Sequence, residues 1–207
     1  MGFDGRKKED AVSWARSRVR GLENPSSLLQ LLFEKRAAAV FMVALFVLMF
    51  FFWSQLKVLA VMAFFIALGA VSMLYNRWVR VSLGFELVML GLVITAVAFG
   101  RLAGLVVGFT GLFLAEVLSG RFTHSTFVSF IGLAVVGLAA PNAFGILEGN
   151  ITLTGILLTV IYDAVIAPGY VILGSNPGRT GLFVVTHLAF NAWVFSFAAP
   201  LILRLLD

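Results

Sequence analysis

Four carboxylates and one imidazole interrupt stretches of this chain that are otherwise apolar enough to cross a bilayer. Glu86, Glu116, Glu148 and Asp163 fall within or beside runs of Leu, Val, Ala, Phe and Gly, and His187 lies four residues before Asn191 in another such run. A carboxylate at membrane depth costs roughly 2.5 kcal/mol or more, so it needs a partner or a function. A carboxylate beside an imidazole in a narrow, dry cavity suits hydrolysis. The acid takes a proton from water, while the imidazole and a neighbouring amide hold the oxyanion that forms. Glu116 as the base, with His187 and Asn191 as the oxyanion donors, is the version these residues allow. Asn191 is one helical turn beyond His187 and shares its face. Glu and His can also ligate one divalent metal, but such a site wants two or three protein ligands and the chain has a single intramembrane His. A metal-free general base is therefore preferred. The plain alternative is that these groups hydrogen-bond helix to helix.

The elements that must position them follow from the apolar runs and their Gly, Pro and charge punctuation. Seven spans are expected, at about 37–53, 58–75, 81–100, 102–119, 126–147, 151–173 and 181–203. Each is long enough, at 1.5 Å per residue, to cross about 30 Å of hydrocarbon. The fold class is thus all-α, a polytopic membrane helix bundle, with residues 1–36 as a basic leader and 37–207 as one transmembrane domain. A cytoplasmic N-terminus puts twelve basic residues inside, the eight of the leader with Arg77, Arg80, Arg121 and Arg179, against Lys57, Arg101 and Arg204 outside. The positive-inside rule selects that orientation. Glu86, Glu116 and His187 then lie roughly 5–10 Å below the cytoplasmic boundary by helix rise, where they can meet. Asp163 is somewhat deeper. For Glu86 and Asp163 a packing role is preferred to a site role, and His124 reads as a polar loop residue.

Gly100, Gly104 and Gly108, continued by Gly111 and Ala115, form a small-residue ladder. It predicts close approach of the 102–119 helix to a neighbour, with Glu116 turned into the bundle. Trp53, Tyr75 and Trp78 read as interfacial anchors.

Composition bounds the rest. The chain is 61% hydrophobic and 12% charged, with no cysteine, which removes disulfides and thiol nucleophiles. Its net charge of +5 is concentrated in the leader, where eight of fifteen basic residues lie. That distribution suits anionic membrane lipids and not a nucleic-acid groove. Within residues 9–22, apolar positions recur at helical spacing among Arg16, Arg18 and Arg20, which fits either a helix lying on the headgroups or a solvated leader.

Three segments resemble the motifs of the CPBP group of intramembrane endopeptidases, which includes the Ras-converting CAAX protease. Glu116-Val-Leu-Ser-Gly-Arg121 resembles EExxxR, Phe144-Gly-Ile-Leu-Glu148 resembles FxxxH, and His187-Leu-Ala-Phe-Asn191 resembles HxxxN. The resemblance spans residues 116–191. It implies that Glu116 activates water, that His187 and Asn191 stabilise the oxyanion, that Arg121 supports the site, and that the substrate is a membrane-anchored peptide. Val117 stands where the family has a second Glu, and Glu148 where it has His. The latter is similar to the FxxxE of the PrsW proteases. A simple seven-span count leaves Glu148 about 20 Å or more from Glu116. Their convergence requires residues 121–132 to extend the preceding span or run along the interface.

Two further readings come from other classes. The run from Ala98 to Phe109, with an Asn-bearing last span, looks like the substrate-binding components of energy-coupling-factor transporters. Those components bind a small molecule between six helices and dock on a separate energising module. The missing second Glu fits a catalytically inactive scaffold subunit of a membrane complex. Both readings imply partner membrane subunits.

Overall fold

Apolar runs of this length have one economical way to satisfy their backbone in lipid, and the chain takes it: the described long runs are helical, one of them only in part. The computed structural model describes residues 25–79, 81 and 83–206, with side chains from Lys35 onward. The leader helix expected within residues 9–22 lies outside the described residues. Two compact units divide the chain, Met1–Leu56 and Lys57–Asp207. Helix α1 runs Pro25–Phe51 and takes in most of the first expected span, starting on a proline that suits a first helical position.

Helix α2 (Trp53–Ser72, followed by a 3₁₀ turn Leu74–Arg77) has its first four residues in the first unit and the rest in the second, which also carries α3 (Val88–Phe99), α4 (Arg101–Ser119), α5 (Thr126–Ile146), α6 (Ile151–Ile172) and α7 (Pro177–Leu206). Five stretches, Trp53–Arg77 and the helices α4 to α7, are long and apolar enough to cross a membrane. No strand occurs among the described residues. The protein is an all-helical, multi-pass membrane bundle.

Helix α3 departs from expectation. Only twelve residues of the predicted 81–100 span are helical, about 18 Å of rise and too short to cross alone. Its residues Val88–Ala96 are buried without a break, so α3 is the bundle's central post and is covered on all sides. Helices α4, α5, α6 and α7 all pack on it.

Gly100, at φ +95°, makes the hairpin between α3 and α4. The glycine ladder then does what its spacing predicts. A Cβ at Gly104 would sit 2.5 Å from the Ala96 methyl, and one at Gly108 would sit 2.4 Å from Leu92 Cδ1. The two helices therefore touch almost backbone to backbone.

The described remainder of the expected third span, residues 81 and 83–87, is non-helical backbone, tolerable at depth only where protein groups satisfy it. They do. The Gly84 amide donates to Thr186 Oγ1 at 2.9 Å, and the Leu87 amide to Ser72 Oγ at 3.0 Å. Tyr75 donates its hydroxyl to the Leu83 carbonyl, and Arg121 donates to the Val79 carbonyl. Tyr75 is thus a clasp and not only an interfacial anchor. Trp53 and Trp78 are 65% and 78% exposed, as anchors should be.

Candidate functional site

The site is assembled where that extended segment meets α7. Gly84 lies so close to α7 that a Cβ there would come within 2.2–2.4 Å of the Cβ, Cα and N of His187. Only glycine permits the crossing, and the crossing delivers Glu86 to the His187 ring. Glu86 Oε1 is 3.0 Å from His187 Nε2. The other carboxylate oxygen accepts from the Val88 and Met89 amides at 2.5 and 3.2 Å, amides that α3's own first turn leaves unpaired. Glu86 is therefore both the cap of the central helix and a partner of the imidazole.

From the other side α6 presents Asp163, whose Oδ1 is 2.8 Å from His187 Nδ1. His187 has no exposure, Asp163 has 5% and Glu86 12%. The ring lies between Phe183, stacked at 5.2 Å, and Tyr162 at 5.4 Å. One charge property follows from stoichiometry. Two hydrogen bonds need at least two protons among the three side chains. With two, the cluster carries a net charge of −1 whether both sit on the ring or one sits on an acid.

A cavity of about 720 Å³ opens beside this cluster, lined by His187, Glu86 and Glu116, with Tyr162 and Tyr170 farther round the wall. That is an ordinary volume for a small-molecule site. It lies at the end of the bundle where three connections converge: the segment before α3, the turn between α4 and α5, and the turn between α6 and α7. Glu116 reaches it from the last turn of α4, which Gly120 closes at φ +72° with its amide on the Glu116 and Val117 carbonyls. Arg121, in the α4–α5 turn, and Arg179, in the first turn of α7, stand on the cavity wall. Asn76, 5% exposed, also lines it, and its amide oxygen is buried without a partner.

The structure thus places Glu116, His187 and Arg121 on one cavity. It does not bring the others there. Asn191 is fully buried and donates its amide to the His187 carbonyl at 3.1 Å, one turn back on its own helix. Glu148 is exposed, at φ +54° in the turn between α5 and α6. It sits at the far end of α5, roughly 30 Å by helix rise from the α5 residues that line the cavity mouth. Residues 121–125 are a turn, and α5 runs unbroken from Thr126, so the extension that convergence required does not occur. His124 is exposed at the start of α5.

Both ring nitrogens of His187 face acids other than Glu116, and those acids, Glu86 and Asp163, are the pair for which a packing role was preferred. The signal that could have found them was chemical: one buried imidazole offers two nitrogens, and four membrane acids compete for them. Among the described residues no group of three His, Cys, Asp or Glu side chains is arranged to hold a metal. No family model, curated protein or solved structure matches the chain.

Proposed function

We propose that this chain is a membrane-embedded binding protein that takes a small molecule into the cavity between its helices, as the substrate-binding component of a transport system does. The observation that carries this reading is the occupancy of His187. With both nitrogens committed to carboxylates, and Asn191 turned to the backbone, neither donor is free to receive an oxyanion, whereas the cavity beside them has the size and mixed lining of a ligand site. By the balance of basic residues the mouth faces the cytoplasm, and the energising or scaffolding subunits would be separate membrane proteins.

The test is direct. Protein purified in mild detergent and then denatured should release a stoichiometric small molecule, detected by mass spectrometry. Thr123→Trp, which narrows the mouth, should release much less. Wild-type protein that carries no such molecule, while folded, would count against the proposal.

A second reading, hydrolysis of a membrane-anchored peptide as the CPBP resemblance implies, is favoured by one fact: Glu116 and His187 line the same cavity. It predicts that the wild type cleaves such a peptide in proteoliposomes and that Glu116→Gln does not. Cleavage with that dependence would replace the binding proposal.

A further inference from the structure

Resting on the binding reading, we infer that the ligand is a small zwitterion with an apolar body, its protonated nitrogen held inward and its anionic group held at the mouth. The wall beside His187 carries acidic side chains. Glu86 and Glu116 both line it, and among the described residues the buried Asn76 amide oxygen has no partner. An orphaned buried acceptor costs free energy unless a ligand donor reaches it. Two acids and one orphaned acceptor around one cavity call for a group that donates several hydrogen bonds and carries positive charge, as an ammonium or amidinium does.

The outer wall has the opposite sign. Arg179, in the first turn of α7, borders the same space, as does Arg121 of the α4–α5 turn, which also interacts with Glu116 and donates to the Val79 carbonyl. A guanidinium pairs best with a carboxylate or phosphate. Elsewhere on the wall Val88, Leu112, Leu133 and Phe183 give apolar ground. A ligand matching all three zones carries a cation and an anion on an apolar body. A purely anionic molecule would have its buried end against two carboxylates.

Three probes of one skeleton separate these elements: tryptophan, tryptamine and indole-3-propionate, titrated calorimetrically into the full chain in nanodiscs. Tryptophan should bind tightest, tryptamine about tenfold more weakly for want of the Arg179 contact, and indole-3-propionate weakest. Glu116→Gln should weaken tryptophan and tryptamine about tenfold and should not weaken indole-3-propionate. Arg179→Gln should lower tryptophan to the level of tryptamine without affecting tryptamine. Indole-3-propionate binding as well as tryptamine would overturn the zwitterion assignment while leaving the binding cavity intact. So would a co-purified molecule lacking a basic nitrogen. No heat from any probe, together with nothing co-purifying, would overturn both the assignment and the reading beneath it.

Discussion

His187 is the most constrained side chain of the bundle: unexposed, stacked on Phe183 and bonded through both nitrogens. Removing one partner of such a cluster leaves a buried charge uncompensated, a loss of about 3–5 kcal/mol in comparable cases. His187→Ala should therefore destabilise the bundle by that order, read as a lowered unfolding midpoint in detergent. Asp163→Asn, which keeps a hydrogen-bonding side chain at Nδ1, should cost clearly less than Asp163→Ala. Equal midpoints for all three variants would mean that the cluster does not hold the helices. Glu148 gives the opposite expectation. It is exposed and remote from the cavity, so Glu148→Gly, which also suits its positive φ, should leave both ligand content and any peptide cleavage unchanged. A loss of either on that substitution would restore Glu148 to the site.

At the scale of elements, the decisive piece is the non-helical segment before α3. Its course over α7 depends on Gly84, because any Cβ there would overlap the His187 backbone. Backbone atoms cannot swing aside as a side-chain end can, so Gly84→Ala must displace the segment and with it Glu86. The expected result is a destabilisation of about 1–3 kcal/mol with loss of bound ligand, measured by thermal unfolding and mass spectrometry on one preparation. Gly181→Ala is the matched control. It lies in α7 with open space around it, and alanine there should be neutral or stabilising by up to about 1 kcal/mol. If the two variants behave alike, the close crossing is not what positions Glu86.

For the whole molecule, orientation is the open quantity with a clean handle. Within the second unit alone the described basic residues balance, Arg77, Arg121 and Arg179 at the mouth end against Lys57, Arg101 and Arg204 at the other. The far end is defined by Lys57 Nζ donating to the Leu206 carbonyl at 2.7 Å and Arg101 to Asn142 Oδ1 at 2.8 Å. The eight basic residues of positions 1–36, six before α1 and two within it, break the tie, provided α1 itself crosses the membrane. Since the chain has no cysteine, single substitutions report sidedness without background. Ser175→Cys should react with an impermeant maleimide only from the cytoplasmic side, and Gly149→Cys only from the other. The reverse pattern would invert the assigned topology and open the cavity to the exterior.

The sequence by itself determined the class of the molecule and the positions of most helices. Continuous apolar runs must close their own hydrogen bonds, and the glycine ladder could only mean close packing, as Gly104 and Gly108 confirm against α3. Helix rise also ranked the polar groups by depth well enough to bring Glu116 and His187 to one cavity. What tertiary structure alone decided is which acids meet the imidazole. Glu86 and Asp163 lie 101 and 24 residues from His187, and rise along a helix says nothing of the direction a side chain faces around it. In helices that are apolar on every side, such as α3, no polar face records that rotation, and the non-helical residues 83–87 include Gly84, which rests on a helix a hundred residues away.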